Sequence, residues 1–404
     1  MHSLRNPRRS AAVGVAAVLT LLFGACSAPG ASEKAADTPA DAAAVSGSDQ
    51  AGSASPGSTD PIKIAVVDAQ SGQLSSLGAW ESKGAKLAVD EWNKAGGVNG
   101  RQIQLDVFDD QGDPTVGTNI AKKIASEGYI AMIGTSESAV TLAMAPVLAE
   151  EKIPNITSGQ SPALAELKTS FLFLNGPTSV TYDESLAKHI VDEKGIKKIA
   201  MISNNGGYGK GEHDAFLAAL SARGVTPVAD QVVTMEQKDF SAALTKIREA
   251  NPDLIFIGSE EVEAGLIVKQ ARDLGITVPF AGAAPQGTPV YIDTAGAKNV
   301  EGTIVSSPYL SNETSDASKK FAEAYKAAYN ETAELHGAKA YDGTNIFLTA
   351  MKTSNGATGK ALADAVRATK YNGLLGDFAF DESGVGIFAT SIGVIKDGKL
   401  VAAS

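Results

Sequence analysis

The chain contains one cysteine, Cys26, among 404 residues, so no disulfide can form within it. Histidine is also scarce, and the four histidines show no H-x-x-x-H spacing of the kind that puts two imidazoles on one metal ion. They are His2, His189, His213 and His336. A buried nucleophilic cysteine needs a histidine partner inside the fold, and the sequence suggests none for Cys26. These shortages argue against a metal centre and a thiol enzyme.

Three further enzyme signatures are missing. There is no G-x-S-x-G turn to present a nucleophilic serine, and no Walker lysine loop, because GYGKG has neither the spacing nor the Ser or Thr. No G-x-G-x-x-G opens a helix after the first strand. The sequence therefore predicts a protein that is not an enzyme and needs no cofactor.

Basic residues are outnumbered, with 35 Lys and Arg against 46 Asp and Glu and a formal net charge of −11. Three arginines and no acid lie before Cys26, so removal of residues 1–25 would leave a net charge of −11 − 3 = −14. Nucleic-acid binding depends on a basic face, so this balance argues against a nucleic-acid partner.

The first 25 residues have the pattern of an export signal. Three arginines, Arg5, Arg8 and Arg9, precede the apolar run AAVGVAAVLTLLFGA at 11–25. A basic start, an apolar centre and small residues before a break are typical of a secretory signal. The run is shorter than the roughly 20 residues that cross a bilayer, although an N-terminal anchor helix is the alternative interpretation.

Cys26 stands directly behind this run, where it resembles the lipid-attachment cysteine of bacterial lipoproteins. Gly24 and Ala25 match that pattern, whereas Phe23 departs from it, because an aliphatic residue is usual there. The resemblance implies that residues 1–25 are cleaved and that Cys26 carries lipid. Residues 26–60 are mostly Ala, Ser, Gly, Pro and Asp, which cannot bury enough apolar surface to fold, so they are predicted to form a disordered tether.

From residue 62 onwards, short β-branched runs alternate with helical patterns that end in glycine. IKIAVV (62–67), IQLDVFDD (103–110) and YIAMIG (129–134) are predicted strands, with helical patterns between them. The alternation resumes from KKIAMIS (197–203) to VPFAG (278–282). Two such blocks predict two lobes, each a mostly parallel sheet flanked by helices.

After residue 306 the pattern changes to successive helical stretches followed by strands with Asp-Gly turns. The tail does not look like a third α/β domain, so it is predicted to complete the first two lobes.

At this point five stretches in order resemble the substrate-binding proteins of branched-chain amino acid ABC importers, the leucine-binding type of type I periplasmic binding proteins. The stretches are 71–128, IGTSESAVTLAMAPVLAEEKIPNI (133–156), NNGGYGKGEHDAFLAALSARG (204–224), KDFSAALTKIREANPDLIFIG (238–258) and FAFDESGVG (378–386). The resemblance runs from about Ile62 to about Val401.

The resemblance implies two α/β lobes joined by a three-strand hinge, with a solute held between them. Lobe one would comprise 61–178 and 307–378, and lobe two 179–306 and 379–404. It also implies an ABC permease in the membrane as partner, a monomer, and a lipid-anchored location at the outer face of the cell membrane.

The resemblance places ligand contacts in lobe one at Ser138 and at a serine- and glycine-containing loop. Ser138 begins a helix at the end of a strand, where free N–H groups suit a carboxylate, although it is also an ordinary N-cap candidate. The loop contains Ser158, Gly159, Gln160 and Ser161, with Gln160 where the family usually has threonine. An ordinary surface loop is the alternative for these four residues.

In lobe two, Tyr208 matches a family tyrosine whose ring covers the ligand, against the alternative of a glycine-rich helix start. Glu260 stands where leucine binders have an aromatic residue, and Ala284 where they have the acid that takes the ammonium group. Leu77 replaces an aromatic residue of the side-chain pocket. Glu260 is either the replacement acid or, with Glu261 and Glu263, part of a solvated acidic helix start.

These departures predict a small polar ligand, an amino acid or a related amide, and not specifically leucine, isoleucine or valine. Two other functions stay open on the sequence alone. One is a ligand-sensing receptor module of the same fold, and the other, less favoured, is an α/β enzyme.

Overall fold

The computed structural model describes residues 60–309 and 315–403. The predicted signal, Cys26 and the tether up to residue 59 lie outside these residues. Fifteen strands are assigned in the described part. They are β1 (Ile62–Asp68), β2 (Ile103–Asp109), β3 (Ala131–Gly134), β4 (Asn155–Thr157), β5 (Leu172–Leu174), β6 (Ile199–Asn204), β7 (Ala229–Val233), β8 (Leu254–Gly258), β9 (Phe280–Gly282), β10 (Ile304–Ser307), β11 (Tyr371–Gly373), β12 (Gly376–Phe380), β13 (Gly386–Ile387), β14 (Ser391–Lys396) and β15 (Lys399–Ala402).

Twelve α-helices are assigned in the same residues, together with a π-helical turn at Lys188–Glu193 and a 3₁₀ turn at Ala284–Gly287. The α-helices are α1 (Ser75–Lys94), α2 (Pro114–Ser126), α3 (Ser138–Glu150), α4 (Pro162–Glu166), α5 (Ser179–Ala187), α6 (Gly207–Ala222), α7 (Ser241–Ala250), α8 (Glu261–Asp273), α9 (Pro289–Ala295), α10 (Asp316–Tyr329), α11 (Leu335–Thr353) and α12 (Gly359–Ala368).

The first sheet has the order β2-β1-β3-β4-β5 and is parallel throughout. Its strand β1 pairs with β2 on one side and β3 on the other, so that Ile64 lies between Leu105 and Ala131. Helices cover both faces of such a sheet, which explains why residues 64–67 of β1 are apolar in succession rather than alternating with polar residues. We call this sheet, with α1–α4 and α10–α12, lobe one.

The second sheet has the order β15-β14-β10-β9-β8-β6-β7. Its strands β6–β10 are parallel to one another, whereas β14 and β15 are antiparallel additions at one edge. This sheet, with α5–α9, forms lobe two. The predicted fold class, two α/β lobes with mostly parallel sheets flanked by helices, is confirmed.

The chain passes between the lobes at three places. These are the segment from β5 to α5, the segment from β10 to α10, and the segment from β13 to β14. The second passage includes residues 310–314, which are not described. Three passages agree with the hinge that the family resemblance implies.

The small sheet β11-β12-β13 belongs with lobe one, although the predicted boundary at 378/379 passes through its strand β12. Phe380 and Phe388 pack in the core of lobe one with Phe173 and Phe378, although the predicted boundary at 378/379 assigns both to lobe two. The Asp-Gly turn pattern that marks these strands does not reveal which sheet they join, because that depends on contacts with distant residues. The exact lobe boundaries stay a prediction.

Lobe one is held together by α1 and α11, which come from opposite ends of the chain. The side chain of Trp92 donates to Asn345 at 2.8 Å, and Tyr341 donates to Glu91 at 2.6 Å. The two helix backbones meet at glycines: a Cβ atom built on Gly84 would lie 2.0 Å from the carbonyl oxygen of Gly337. Only glycine permits this approach, which sets the position of the N-terminal turn of α11.

Within the described residues, no helix is both long enough and apolar enough to cross a membrane.

We expect Gly84→Ala to lower the free energy of unfolding by about 2–3 kcal/mol, because the added methyl group forces α1 and α11 apart, as in other overpacked cores. The matched control is Gly337→Ala, whose Cβ would lie no closer than 3.2 Å to its nearest neighbour, the Tyr325 ring. In urea denaturation, Gly337→Ala should lower the free energy of unfolding by less than half as much as Gly84→Ala does. Equal losses would contradict the close approach of the two backbones.

Candidate ligand site

The carboxyl ends of both parallel sheets lie at the cleft between the lobes. Helix α3 begins directly after β3, α6 after β6, and α8 after β8. In parallel sheets, the helix that follows a strand starts at the strand's carboxyl end, so three helix N-termini converge on one region. Such ends carry free N–H groups and a partial positive charge.

One cavity of about 20 Å³ lies between the lobes at this point and is lined by residues of both. This volume is about that of one water molecule, so the lobes are closed together. The lining residues are Leu77, Ser136, Glu137, Ser158, Gln160, Tyr208, Glu260, Glu261, Pro285 and His336. Four of the seven predicted ligand-contact residues are among them: Ser158, Gln160, Tyr208 and Glu260.

The lobe-one wall is built on the N-terminus of α3. Glu137 is its N-cap, and its Oε1 accepts a hydrogen bond from the Ala139 N–H at 2.9 Å. The hydroxyl and the N–H of Ser136 both donate to the carboxylate of Asp68, at 2.8 and 3.1 Å. Two protein carboxylates therefore already accept from three donors of this segment, the Ser136 hydroxyl and the N–H groups of Ser136 and Ala139.

Ser138, Gly159 and Ser161 are not among the residues that line the cavity. The Ser138 hydroxyl accepts from the Ser161 N–H at 3.3 Å, and a Cβ on Gly159 would lie 3.2 Å from that same hydroxyl. These three residues join the start of α3 to the loop after β4, so they position Ser158 and Gln160. Whether they contact a ligand stays a prediction.

The loop is fixed from both lobes. The Lys339 ammonium of α11 donates to the Ser158 carbonyl oxygen at 3.0 Å, and the Ser179 N–H of α5 donates to the Gln160 carbonyl oxygen at 2.8 Å. With their backbones held in this way, Ser158 and Gln160 lie at the cavity.

The lobe-two wall consists of Tyr208, Glu260 and Glu261. The Glu260 Oε2 accepts from the Asn204 side chain at 2.5 Å, which ties the start of α8 to the end of β6. Glu260, Glu261 and Glu263 are only 6, 2 and 5% exposed. The alternative interpretation of this stretch as a solvated acidic helix start is therefore wrong.

The lobes contact each other around the cavity. The Lys238 ammonium of lobe two donates to the Gln73 side chain of lobe one at 2.6 Å, and His336 Nε2 lies 3.6 Å from Glu261 Oε1. At the helix N-termini, a Cβ on Gly207 would lie 2.8 Å from the Ala139 nitrogen. A glycine at the start of α6 therefore allows it to meet α3.

Burial perturbs the pKa values of the acids at the cavity. Burial raises the pKa of Glu137 to about 7, and burial together with the charge of Glu137 raises the pKa of Glu260 well above its usual range. Burial also raises the pKa of Glu261 to about 7, although the nearby His336 opposes the rise. Like charges facing one another across a dry cleft disfavour simultaneous ionisation.

The cations near the cavity are already engaged by acids. Burial would lower the pKa of His336, but Glu334 and Glu261 outweigh that effect and raise it. Its Nδ1 lies 3.0 Å from Glu334 Oε2. Burial lowers the pKa of Lys339 to about 8, against the attraction of Glu81 and Glu334.

Four polar atoms of cavity-lining side chains are buried without a hydrogen-bond partner among the described residues. They are Glu260 Oε1, Glu261 Oε1, Gln160 Oε1 and the Tyr208 hydroxyl. Buried polar groups are normally satisfied, and the desolvation cost of leaving one unpaired is about 1–3 kcal/mol. Their convergence on one cavity from both lobes is the property of a binding site.

The site also contains two residues, Glu137 and His336, that sequence reasoning does not single out as ligand contacts. Glu137 stands directly before Ser138. An acid immediately before a helix, at the carboxyl end of a strand, could have been recognised from the sequence as a candidate site residue. His336 joins the site only because α11 packs on α1, which local sequence does not reveal.

Leu77 lines the cavity, as the departure from the family pattern suggests. Ala284, predicted to lie at the position of an ammonium-binding acid, does not line this cavity. It lines a second groove of about 380 Å³ that both lobes also border, with Thr288 and Ile292 from lobe two and Glu334 and Leu335 from lobe one. The acids at the cavity are Glu137, Glu260 and Glu261.

A family profile described as periplasmic binding protein matches residues 61–399 of this chain. The chain belongs to the periplasmic binding protein family. The fold and the cleft between two lobes agree with that assignment.

Two bacterial relatives show the range of similarity. The Leu/Ile/Val-binding protein BraC3 of Rhizobium johnstonii is 29% identical over 347 residues, which cover 85% of this chain and 94% of the relative. The leucine-, isoleucine-, valine-, threonine- and alanine-binding protein of Pseudomonas aeruginosa is 26% identical over 326 residues, covering 80% and 87%. These relatives are binding proteins rather than enzymes.

Solved structures that resemble this chain are also solute-binding proteins of transporters. The substrate-binding protein LivJ of a branched-chain amino acid transporter from Streptococcus pneumoniae, in complex with isoleucine, has a TM-score of 0.79 and 26% identity, covering 85% of this chain and 98% of its own. A solute-binding protein of an ABC transporter from R. palustris, in complex with benzoate, has a TM-score of 0.78 at 20% identity, covering 85% and 95%. The latter similarity is one of fold. The resemblance inferred from the sequence is confirmed.

We expect the ligand-free protein to lose stability as the pH rises from about 5 to 8. Glu81, Glu137 and Glu261 have folded-state pKa values raised to about 7 by burial, above their ordinary value of 4.5. The folded state therefore binds more protons than the unfolded state in this window. The stabilisation that these extra protons give the folded state is lost as the pH rises through the folded-state pKa. Each such carboxyl group contributes at most about 3 kcal/mol to this fall in the free energy of unfolding.

Urea denaturation at four pH values across this window measures the effect. Glu137→Gln should give a shallower decline, whereas Glu249→Gln, on the exposed face of α7, should follow the wild-type profile. A flat or rising wild-type profile would contradict the buried, protonated state of these acids.

Proposed function

We propose that this protein is the extracytoplasmic solute-binding component of an ABC importer. It captures a small polar ligand, an amino acid or a related amide, between its lobes and delivers it unchanged to a membrane permease. The observation that carries the proposal is the set of unpartnered buried polar atoms that converge from both lobes on one cavity. The family membership and the amino acid-binding relatives support it.

The two walls suggest an order of binding. The lobe-one wall, with the Ser158–Ser161 loop and the start of α3, is held by bonds within lobe one and to α5, the helix that follows the first passage between the lobes. Lobe two then brings Tyr208 and Glu260 onto the ligand as the cleft closes. A ligand shifts the equilibrium toward the closed form only by its extra affinity for that form, which the lobe-two contacts supply.

The proposed location is the outer face of the cell membrane, with a lipid on Cys26 and the tether 26–60 between lipid and lobes. The protein acts as a monomer in this scheme. The export-signal pattern before Cys26 and the low-complexity composition after it support this arrangement.

The function predicts that at least one compound from a panel of amino acids, amides, amines and small acids raises the melting temperature and binds with a defined stoichiometry of one per chain. A ligand that binds only the folded state stabilises it by mass action. Thermal-shift screening followed by calorimetry measures this, and mass spectrometry of the released ligand should find it unaltered. Failure of the whole panel, or turnover of a compound, would overturn the proposal.

Gly207→Ala provides a structural check on closure with the ligand found in that screen. The added Cβ collides with the Ala139 nitrogen across the cleft, so affinity should fall at least about tenfold, equal to about 1.4 kcal/mol. Lys210→Ala, on the exposed face of the same helix, should bind like wild type. Unchanged affinity in the Gly207 variant would show that the ligand does not need the closed arrangement.

Anchoring is tested by fractionation of cells that express the full chain. Cys26→Ser should move the protein from the membrane fraction to the medium or the soluble fraction, because the thiol is the attachment point for lipid. Ser27→Ala is the neighbouring control and should stay with the membrane. A membrane-bound Cys26→Ser protein that retains residues 1–25 would instead favour an N-terminal anchor helix.

A further inference from the structure

The cavity wall is dominated by acids and hydrogen-bond acceptors. Three glutamates, Glu137, Glu260 and Glu261, line it against a single titratable base, His336. That histidine is already placed between Glu334 and Glu261, with its Nδ1 3.0 Å from the former. The net charge at the cavity is therefore negative whenever more than one of the three glutamates is ionised.

The unpartnered side-chain atoms show the same bias. Gln160 Oε1 is an acceptor, Glu260 Oε1 and Glu261 Oε1 are acceptors once their carboxyl groups ionise, and the Tyr208 hydroxyl can accept as well as donate. Glu261 Oε1 also lies 3.6 Å from His336 Nε2. All four residues are more than nine-tenths buried. A ligand rich in N–H groups would satisfy these atoms, whereas a ligand carboxylate would add another acceptor to a wall of acceptors.

At the start of α3 in lobe one, protein carboxylates already accept from three of the donors that a ligand carboxylate would use. The Ala139 N–H donates to the Glu137 carboxylate, and both donors of Ser136 go to Asp68. A second carboxylate at this place would have to displace Glu137 or lie against it. In a closed, poorly hydrated cleft, that repulsion is weakly screened.

The same acids would accommodate a positive charge. Glu137 from lobe one and Glu260 from lobe two line the same cavity, and the charge of Glu137 contributes to the raised pKa of Glu260. A cation between them would allow both to ionise and would join the two lobes through it. Buried charges are tolerated when they are paired in this way.

The positive charge required here belongs to an organic group. Across 60–309 and 315–403, no cluster of three or more His, Cys, Asp or Glu side chains is arranged to hold a metal ion. Leu77 and Pro285 are the nonpolar side chains of the cavity lining, and they would lie beside the carbon skeleton of a ligand admitted when the cleft opens.

We propose that the ligand of this cleft is a small organic cation, an amine or guanidine with N–H donors, that carries no carboxylate. This inference rests on the proposed function, whose capture and delivery it keeps, and it replaces the amino acid or amide named there by an amine or guanidine. Glu137, Glu260 and Glu261 receive the cationic nitrogen, and the Glu137 carboxylate at the start of α3 disfavours a ligand carboxylate beside it.

Matched pairs that differ only by the carboxylate test this directly. Agmatine is compared with arginine, putrescine with ornithine, and isoamylamine with leucine, by calorimetry on the wild-type mature protein at one pH and ionic strength. For the pair that binds best, the amine should have a Kd at least about tenfold lower than its parent amino acid. A neutral amide of similar size, isovaleramide, separates the contribution of charge from that of hydrogen bonding.

Substitutions of the cavity acids test which residues produce the preference for amines over amino acids. Glu137→Gln and Glu260→Gln should each weaken the best amine at least about tenfold and reduce the ratio between amine and parent amino acid, while the surface control Glu249→Gln should leave both unchanged. Circular dichroism melts establish that each variant is folded. The wild-type ratio needs no variant, so the inference can be tested even if the substitutions prevent folding.

The outcomes separate this inference from the proposed function. Amino acids binding as tightly as their amines, or isovaleramide binding while every amine fails, overturns the inference and leaves the solute-binding function standing. Absence of binding by all of these probes and by the wider panel overturns both.

Discussion

The direction of the strands is the constraint on which the site depends. In a parallel sheet every helix that follows a strand starts at the same edge, so lobe one presents α3 there and lobe two presents α6 and α8. Because the two edges face each other, residues far apart in the chain form one wall each of a single cavity. The loop after β4 and the first turn of α11 complete the site beside these helix N-termini.

Burial of acids at the cavity is the cost that accompanies this arrangement. Glu137, Glu260 and Glu261 are removed from water, and part of the hydrogen-bonding capacity of Glu260 and Glu261 remains unused. Such groups lower the stability of the folded protein when they ionise, so their presence is explained by an interaction that the ligand-free chain does not make. The same acids therefore lower the stability of the ligand-free protein and provide the groups that a ligand would bind.

The sequence predicts the lobes well because strand and helix patterns are local. The run IKIAVV and the glycine-terminated helices identify the two α/β blocks, and Tyr208 and Glu260 can be picked out because each closely follows a strand. His336 and the place of Phe380 and Phe388 depend on packing between distant segments, so periodicity does not reveal them. Ala284 illustrates the same limit, since its register against the family does not distinguish the cavity that contains Tyr208 and Glu260 from the second groove that both lobes border.

The pairing of α1 with α11 also sets the order in which the molecule can be assembled. The helix α1 finds its main neighbour only after most of the chain has been made, and the small sheet that completes the core of lobe one comes later still. Lobe two, whose strands β6–β10 are contiguous in sequence, has nearly all of its core available earlier. Contacts between such distant segments are slow to form, so we expect lobe one to reach its final packing after lobe two.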